Sequence, residues 1–594
     1  MTKTKLKLSI LMLVVVGLGL SFNAKNIVSA ADADITNGIV VDSTLDTGDA
    51  NVGNGICDDG AGSCTLRAAI EEANSNADAT TISFNIAPLD GSVKTFTPAS
   101  GYNTLTEQVT IDGSTQNGAD CSTHTLKIEI DGNSVGGTNN VLGIGADSSI
   151  VKGLAFYGYT AGNYMVGFIE GDGGEATCNN FGIKADGSDG YPVTDTHGAL
   201  AIEGASNTMV GGTSASDRNV FSSNEIQVPI GINENLIGAP SNTIIQGNYF
   251  GTDVAGLVAM PNAIGNVSIN AGTNTTIGGL GEGEGNLIAS NSPGLGNVMV
   301  SSSTTSDVDN SAILGNTFGL DANGEAASGF GTTGAITVGR GPGSTNITNV
   351  LIQGNTIRAT GLGIWNLDLA GAFNTGVSIL DNTISGATFG IDSCQDSDFD
   401  FICDINDGAT LNDFGDTDTG PNNYINTPEI SNIKQVGDQI TFTYNLDAID
   451  SPSDTYRVDF FYNDAADSEG MGQSQYAIGN TTADLSGGAV TELTATFTLP
   501  STTDITSKVF SSTTTAIDSS ATYGYGSTSE FGGKVLGATT SYSPAVAAQN
   551  GQNNSSGGSL AETGQEVQAV AMLASSVLTV TAVLSLTILN KSKY

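Results

Sequence analysis

Charged and aromatic residues are both scarce in this 594-residue sequence, at 13% and 6% of the chain. The residues that favour α-helices, Glu, Lys, Arg and Leu, are few, which argues against a helical enzyme. Lys and Arg number only 18 against 61 Asp and Glu, for a net charge of −43. Such a surface repels phosphate backbones, so we expect no nucleic-acid partner. The acidity either keeps an exported protein soluble or holds divalent cations.

Cysteine is scarce too, with six residues and no Cys-x-x-Cys pair, which argues against a zinc site. Two pairs lie close enough in sequence to close small loops as disulfides, Cys57 with Cys64 and Cys394 with Cys403. Disulfides are typical of the oxidising cell exterior. The alternative is six unpaired, partly buried thiols.

Glycine, by contrast, is abundant at 79 residues, and Ser, Thr, Asn and Asp fill much of the rest. This composition is typical of short strands joined by tight turns, because Gly, Asn and Asp adopt the backbone angles that turns require. Between residues 111 and 425, short apolar strands recur at starts roughly 20–40 residues apart, a spacing typical of solenoid repeats. The clearest repeats begin at Asn207, Asn242, Asn274, Ala312, Val350 and Val377.

The repeats predict an all-β right-handed parallel β-helix over residues 111–425, in which Ile, Val and Leu stack inward coil on coil. Asn at the corners adopts the left-handed backbone conformation at low cost. A globular sandwich with many turns is the alternative, and the length of the unbroken strand-and-turn pattern argues against it.

Residues 1–31 have the order of a secretory signal peptide, with lysines, an apolar stretch from Leu8 to Leu20, and small residues before Asp32. Residues 32–110 follow as an N-terminal capping segment. A short amphipathic helix is predicted over residues 64–74, because its apolar residues recur at helical spacing.

Two segments resemble bacterial cell-surface β-helix proteins. Residues 64–70, Cys-Thr-Leu-Arg-Ala-Ala-Ile, resemble the Cys-Ser-Leu-Arg-Glu-Ala-Ile segment at the start of many of them. Residues 245–253, Ile-Gln-Gly-Asn-Tyr-Phe-Gly-Thr-Asp, resemble their Gln-Gly-Asn-Tyr-Ile-Gly-Thr-Asp repeats, and residues 315–321 are a weaker echo. The resemblance implies the β-helix fold, with residues 64–70 at its open N-terminal end. It implies little about activity.

After residue 425 the pattern changes to period-two alternation, which indicates half-buried antiparallel strands. The segments 439–444, 456–461 and 493–499 show it. We therefore predict an immunoglobulin-like β-sandwich over residues 426–536, which would serve as a stalk. Residues 537–559, rich in Ser, Gly, Asn, Gln and Ala, predict a flexible linker.

Residues 560–594 have three parts in order: a pentapeptide, an uncharged run at 567–589 long enough to form a transmembrane helix, and terminal lysines. The pentapeptide is Leu560, Ala561, Glu562, Thr563 and Gly564. It resembles the sortase sorting signal Leu-Pro-x-Thr-Gly, with Ala561 in place of Pro. That resemblance implies sortase cleavage after Thr563, whose carbonyl then joins peptidoglycan. A plain membrane tail anchor is the alternative.

Acidic residues are concentrated near the end of the predicted β-helix. Alternating carboxylates in a short loop are suited to calcium, which takes oxygen ligands. Asp413, Asp416 and Asp418 follow the acidic loop at residues 396–407. We expect either a structural calcium ion at the domain junction or a solvated acidic loop. The candidate ligands are Asp396, Asp398, Asp400, Asp404 and Asp407.

The sequence thus predicts a secreted protein anchored to the cell wall, which works in adhesion or recognition of glycans or other cells. Two alternatives are a surface polysaccharide lyase or hydrolase and a structural coat protein. The Asn-Thr-Asp, Gly-His-Gly and Arg-Ile-Lys motifs of polygalacturonases are absent and His numbers two, so we expect no catalysis.

Overall fold

A computed structural model describes residues 38–532 with internal gaps. The gaps are residues 137–139, 160–163, 191–197, 225–227, 290–295, 341–343, 370–373, 397–409, 451, 468–469 and 501–504. The described residues belong to one compact unit. The predicted signal peptide, linker and C-terminal segment lie outside them.

Two large parallel sheets make up most of the molecule. From Val109 onwards, each coil of the chain passes once through a 12-stranded sheet and twice through an 18-stranded sheet, so the strands stack in successive turns. Pairing is parallel throughout, as where Val151 lies beside Ala176 and Ala176 beside Val210. The fold is therefore all-β and solenoid-like, as predicted for residues 111–425. The coils begin earlier, because strands from the predicted capping segment at 32–110 join both sheets.

The strand bounds follow the coils. The 12-stranded sheet contains Ile39–Val41, Thr80–Phe84, Val109–Asp112, Ile150–Lys152, Glu175–Thr177, Met209–Gly211, Ile244–Gln246, Gly272–Thr273, Thr276–Gly278, Val308–Leu314, Ile347–Gln353 and Val377–Leu380. The 18-stranded sheet contains Lys94–Phe96, Ile128–Asp131, Leu142–Ile144, Leu154–Tyr157, Tyr164–Phe168, Asn180–Phe181, Gly198–Glu203, Val220–Phe221, Ile230–Asn233, Tyr249–Phe250, Val267–Ile269, Leu287–Ile288, Val298–Val300, Thr317–Phe318, Thr332–Arg340, Thr356–Leu369, Thr383–Ser385 and Phe389–Asp396. Short 3-10 helices occupy Gly113–Thr115, Cys121–Thr123, Gly132–Ser134 and Pro421–Tyr424.

Asparagine shapes the corners on both sides of the 12-stranded sheet. Five Asn residues adopt the left-handed conformation with φ of 52–57°, which Asn tolerates best after Gly. Asn207, Asn242 and Asn274 come just before a strand, whereas Asn310 and Asn349 lie within one. From the coil of Glu175–Thr177 onwards, a second Asn of each coil is buried after the strand. Its side chain joins neighbouring coils, as where Asn248 Nδ2 donates to Asn286 Oδ1 (3.1 Å) and to the Val210 carbonyl (2.9 Å).

This buried ladder runs through Asn179, Asn219, Asn248, Asn286, Asn316, Asn355 and Asn382. It satisfies corner backbone groups that would otherwise be buried without partners. Inward apolar columns fill the space between the sheets. Among them Phe156, Phe181, Phe221 and Phe250 stack with ring centroids 4.7–5.4 Å apart.

The predicted N-terminal helix is present as α1, Leu66–Ala73. Thr65 caps it, because its hydroxyl accepts the Ala68 N–H at 3.0 Å. Leu66 and Ile70 join the apolar core of the first coils, so α1 covers their open end. Arg67 fixes the preceding loop through an ion pair with Asp46 at 2.9 Å.

Antiparallel strands form a second region, a sandwich of two sheets. Its three-stranded sheet contains Glu429–Val436, Gln439–Leu446 and Val490–Thr498, and its four-stranded sheet Thr455–Asn463, Tyr476–Asp484, Val509–Ile517 and Tyr525–Thr528. The two sheets share one apolar core, in which the Phe442 and Phe460 rings stack at 4.6 Å.

The sandwich lies against the last coil of the parallel sheets. Gln473 Nε2 donates to the Ala387 carbonyl at 2.6 Å, and Glu530 accepts the Ser393 N–H at 2.7 Å. Phe461 and Phe531 enter the apolar core of the coils. Side chains of the sandwich therefore take the place of a further coil, which closes a sheet end that would otherwise expose unpaired backbone groups.

Candidate functional site

Several predicted site residues lie outside the described part of the chain. These are the sorting pentapeptide Leu560–Gly564 and the candidate calcium ligands Asp398, Asp400, Asp404 and Asp407. Asp396 ends a strand, and its side chain is likewise not described. Among the described residues, no helix is long and apolar enough to cross a membrane. The predicted helix at 567–589 falls beyond them and stays a prediction.

The five described cysteines are all disulfide-bonded. Cys57 and Cys64 form a disulfide, as predicted, and close the loop that leads into α1. Cys121 and Cys178 form a second disulfide across 57 residues, a pairing that their distance in sequence did not suggest. Cys394 is disulfide-bonded as well, and Cys403 lies outside the described residues.

Three carboxylates that follow the predicted calcium loop come together. Asp413, Asp416 and Asp418 each place an oxygen within 4.8 Å of the others. Asp416 is buried, and its two oxygens accept the N–H groups of Asn426 (2.9 Å) and Ile449. Asn426 precedes the first strand of the sandwich, and Ile449 lies between two of its strands. The two bonds therefore fix the Asp416 carboxylate where the chain enters the sandwich.

The other two carboxylates differ in their partners. Asp413 accepts the Thr417 hydroxyl at 2.7 Å. Asp418 Oδ1 is buried and has no hydrogen-bond partner in the part of the chain that the structure describes. A buried carboxylate oxygen without a donor is costly, unless a cation or a proton compensates it.

The electrostatics of this cluster reflect its excess of negative charge. The pKa of Asp416 is raised to about 7, chiefly by burial and also by the charges of Asp418 and Asp413, against the lowering effect of the two N–H donors. Burial, with Asp413 beside it, also raises the pKa of Asp418. Oxygen ligands at this spacing suit a hard divalent cation such as calcium.

A row of half-buried polar side chains runs across adjacent coils of the 18-stranded sheet. Asn233 Nδ2 donates to Tyr164 Oη at 3.4 Å, Asn270 Nδ2 to Asn233 Oδ1 at 2.8 Å, and Ser301 Oγ to Asn270 Oδ1 at 2.7 Å. Glu203 lies beside Asn233 in the strand register, and burial raises its pKa. We call Tyr164, Glu203, Asn233, Asn270 and Ser301 the polar row. The sequence repeats do not reveal it, since its members differ in residue type from coil to coil.

His124, one of the two histidines, has a structural setting. Its Nε2 hydrogen-bonds to Asn180 Oδ1 at 2.7 Å, and burial lowers its pKa, so the ring is neutral at pH 7. His197 lies outside the described residues. The His124 ring is therefore held by the side-chain amide of Asn180, whereas a catalytic histidine is commonly paired with a carboxylate.

Comparisons with known proteins give little further evidence. No family model matches the chain, and no curated protein matches it. Among solved structures it is similar to the enzymatically active domain of tailspike protein 2 of bacteriophage CBA120, at 11% identity and a TM-score of 0.21. That similarity covers 79% of this chain and 74% of the tailspike domain. It is too slight to bear on activity.

Proposed function

We propose that this is a secreted protein anchored to the cell wall, whose coiled body serves adhesion to or recognition of glycans or other cells. The observation that carries the proposal is the order of the C-terminal signals, with Leu560–Gly564 ahead of an apolar run and lysines. The disulfides support it, because such bonds form and persist outside the reducing cytosol. Sortase and peptidoglycan are the partners that this anchoring requires.

In this proposal the coiled body is a right-handed parallel β-helix and the sandwich is immunoglobulin-like. Because α1 packs on the first coils and the sandwich on the last, both ends of the described coils are covered, which disfavours self-association through strand edges. The lateral surface is then the part that meets a partner.

The polar row supports glycan recognition. Asn233, Asn270 and Ser301 lie on three successive coils, whose strands have the usual spacing of about 4.8 Å. Hydrogen-bonding groups at such regular intervals are complementary to sugar hydroxyls. The net charge of −43 disfavours anionic partners such as nucleic acid.

We also propose that Asp413, Asp416 and Asp418 bind a structural calcium ion at the junction of the coils and the sandwich. The three carboxylate oxygens converge within 4.8 Å, and Asp418 Oδ1 is buried without a described donor. The ligands predicted from the sequence, Asp396, Asp398, Asp400, Asp404 and Asp407, stay a prediction, because their side chains lie outside the described residues. The ion would offset the repulsion among the carboxylates.

Fractionation of cells that express Thr563→Ala tests the anchoring. The wild type should remain in the wall fraction, whereas the variant should appear in the membrane or the medium, and Ser559→Ala should behave as the wild type. Wall retention of Thr563→Ala would contradict the proposal.

A screen of the purified protein against cells and glycans tests recognition. Release of sugar products in that screen would point instead to a polysaccharide lyase or hydrolase, and binding to nothing would point to a coat protein.

A further inference from the structure

The polar row has hydrogen-bonding capacity that its own members do not use. Four neighbouring coils each contribute one side chain to it, Glu203, Asn233, Asn270 and Ser301. The amides of Asn233 and Asn270 each donate one N–H within the row, which leaves their second N–H for a ligand. At about 4.8 Å per strand, the row is about 14 Å long. It is therefore long enough to contact more than one unit of a polymer.

The Tyr164 ring lies along the surface of the sheet and not away from it. Gly198 on the next strand and Gly231 on the strand after that leave room for it, because a Cβ at either position would overlap the ring or its hydroxyl. The ring thus reaches across one strand to Asn233, whose Nδ2 donates to Tyr164 Oη at 3.4 Å. Tyr164 is half-buried, and its hydroxyl proton has no acceptor in the part of the chain that the structure describes.

The Glu203 carboxyl, on the strand between Tyr164 and Asn233, has no donor. It is half-buried, and no described residue donates a hydrogen bond to it. Burial raises its pKa, and no hydrogen bond lowers it again.

Glu203 and Tyr164 lie close together without bonding to each other. The pKa of Tyr164 is raised, chiefly by burial and also by the charge of Glu203, against the lowering effect of the bond from Asn233. No hydrogen bond joins the Glu203 carboxyl to Tyr164 Oη. An unused acceptor therefore lies near an unused donor. One ligand hydroxyl can satisfy both, since it donates to the carboxylate and accepts from the tyrosine.

We propose that the polar row binds a neutral oligosaccharide along the coil axis, with one sugar hydroxyl between Glu203 and Tyr164 and others on Asn233 and Asn270. The inference rests on the proposed recognition function and specifies its ligand and contact residues. Sugar hydroxyls both donate and accept, as these side chains require. The row contains no basic side chain that could pair with an acidic sugar, and the net charge of −43 also disfavours one.

Titration calorimetry of the purified protein tests this binding. The neutral probes are cellopentaose, mannopentaose and galactopentaose, each with its own hexose. Polygalacturonate is the acidic probe, and chitosan pentamer is the basic one. We expect at least one neutral pentaose to bind, about tenfold or more tightly than its hexose, because the row contacts more than one sugar unit.

Two conservative variants remove the partners of the bridging hydroxyl. Glu203→Gln keeps the size of the side chain but loses its charge, and Tyr164→Phe keeps the ring over the glycines but loses its hydroxyl. Each should weaken pentaose binding about tenfold. The matched controls are Glu175→Gln, a half-buried acid on the 12-stranded sheet, and Tyr249→Phe, a half-buried tyrosine outside the row. Both controls should keep the wild-type affinity, and melting curves show that all four variants are folded at the assay temperature.

Pentaose binding that Glu203→Gln and Tyr164→Phe both retain at wild-type affinity would overturn the assignment. So would equal affinity for hexose and pentaose, binding of polygalacturonate or chitosan pentamer alone, or binding of no probe. The wider recognition function is scored separately, by adhesion of the protein to cells. Adhesion that persists in both variants would refute this site and leave that function intact.

Discussion

Asn422 pairs with Val377 as a neighbouring strand would. The Val377 N–H donates to Asn422 Oδ1 at 3.0 Å, and Asn422 Nδ2 donates back to the Val377 carbonyl at 2.8 Å and to the Thr528 carbonyl at 2.9 Å. Val377 belongs to the last strand of the 12-stranded sheet. One side-chain amide therefore completes the ladder where the coils end, and it joins the sandwich to them.

Asn422→Ala should weaken this junction. The substitution removes three hydrogen bonds and leaves buried backbone groups unpaired, each at a cost of about 1–3 kcal/mol. Asn423→Ala is the matched control, because Asn423 also has a positive φ but makes its side-chain bond to Asp450. Urea unfolding should show that the free energy of unfolding falls by at least about 2 kcal/mol more in Asn422→Ala than in Asn423→Ala. Equal losses would mean that the backbone conformation, not the strand-like pairing, determines stability.

The two disulfides should contribute unequally. The Cys121–Cys178 bond closes 57 residues and the Cys57–Cys64 bond 7, and in the chain-entropy account these stabilise by about 4 and about 2 kcal/mol. Calorimetry of the two double alanine variants, each without one bond, should show the larger fall in melting temperature for Cys121→Ala/Cys178→Ala. A larger fall in melting temperature for Cys57→Ala/Cys64→Ala would contradict the expectation. It would mean that the position of α1, which follows Cys64, contributes more to stability than closure of the longer loop.

Glu203 should make stability depend on pH. Its pKa in the folded protein is raised above the ordinary 4.5 by burial, so the folded state binds the proton more tightly than the unfolded state. Stability should therefore fall as pH rises from 4.5 through the raised pKa, and then level off. Glu203→Gln should show a smaller decline than the wild type, and the decline that remains is the share of other acids with raised pKa values, such as Asp416 and Asp418. Urea unfolding at pH 4, 6 and 8 measures the difference. Glu175→Gln, on the 12-stranded sheet, is the control. If Glu203→Gln loses stability in parallel with the wild type, this attribution is wrong.

Calcium should stabilise the protein through Asp418. At a free calcium concentration 100 times Kd, binding to the folded state alone adds about 2.7 kcal/mol. Asp418→Asn should lose that increment, whereas Asp438→Asn, an acid outside the cluster, should keep it. Thermal unfolding with calcium and with chelator measures both. An equal calcium shift in wild type and Asp418→Asn would place any calcium site elsewhere.

Much of the fold is predictable from the sequence, because its determinants are local. Corner asparagines such as Asn207 and Asn242 mark the left-handed turns, and the apolar face of residues 64–74 marks α1. All six repeats identified on sequence place a strand in the 12-stranded sheet. Period-two alternation likewise identifies three strands of the sandwich, Gln439–Leu446, Thr455–Asn463 and Val490–Thr498.

The candidate sites are less predictable, since they depend on proximity between coils and between regions. Nothing near Cys121 in the sequence points to Cys178. The convergence of Asp413, Asp416 and Asp418 depends on backbone donors from the sandwich, such as Ile449.

Anchoring is the central claim, and mass spectrometry of the native protein released from purified cell walls by muramidase tests it most directly. The account predicts a C-terminal peptide that ends at Thr563 and carries a peptidoglycan fragment on its carbonyl. A polypeptide that continues unbroken past Gly564, without a bond to peptidoglycan, would contradict it.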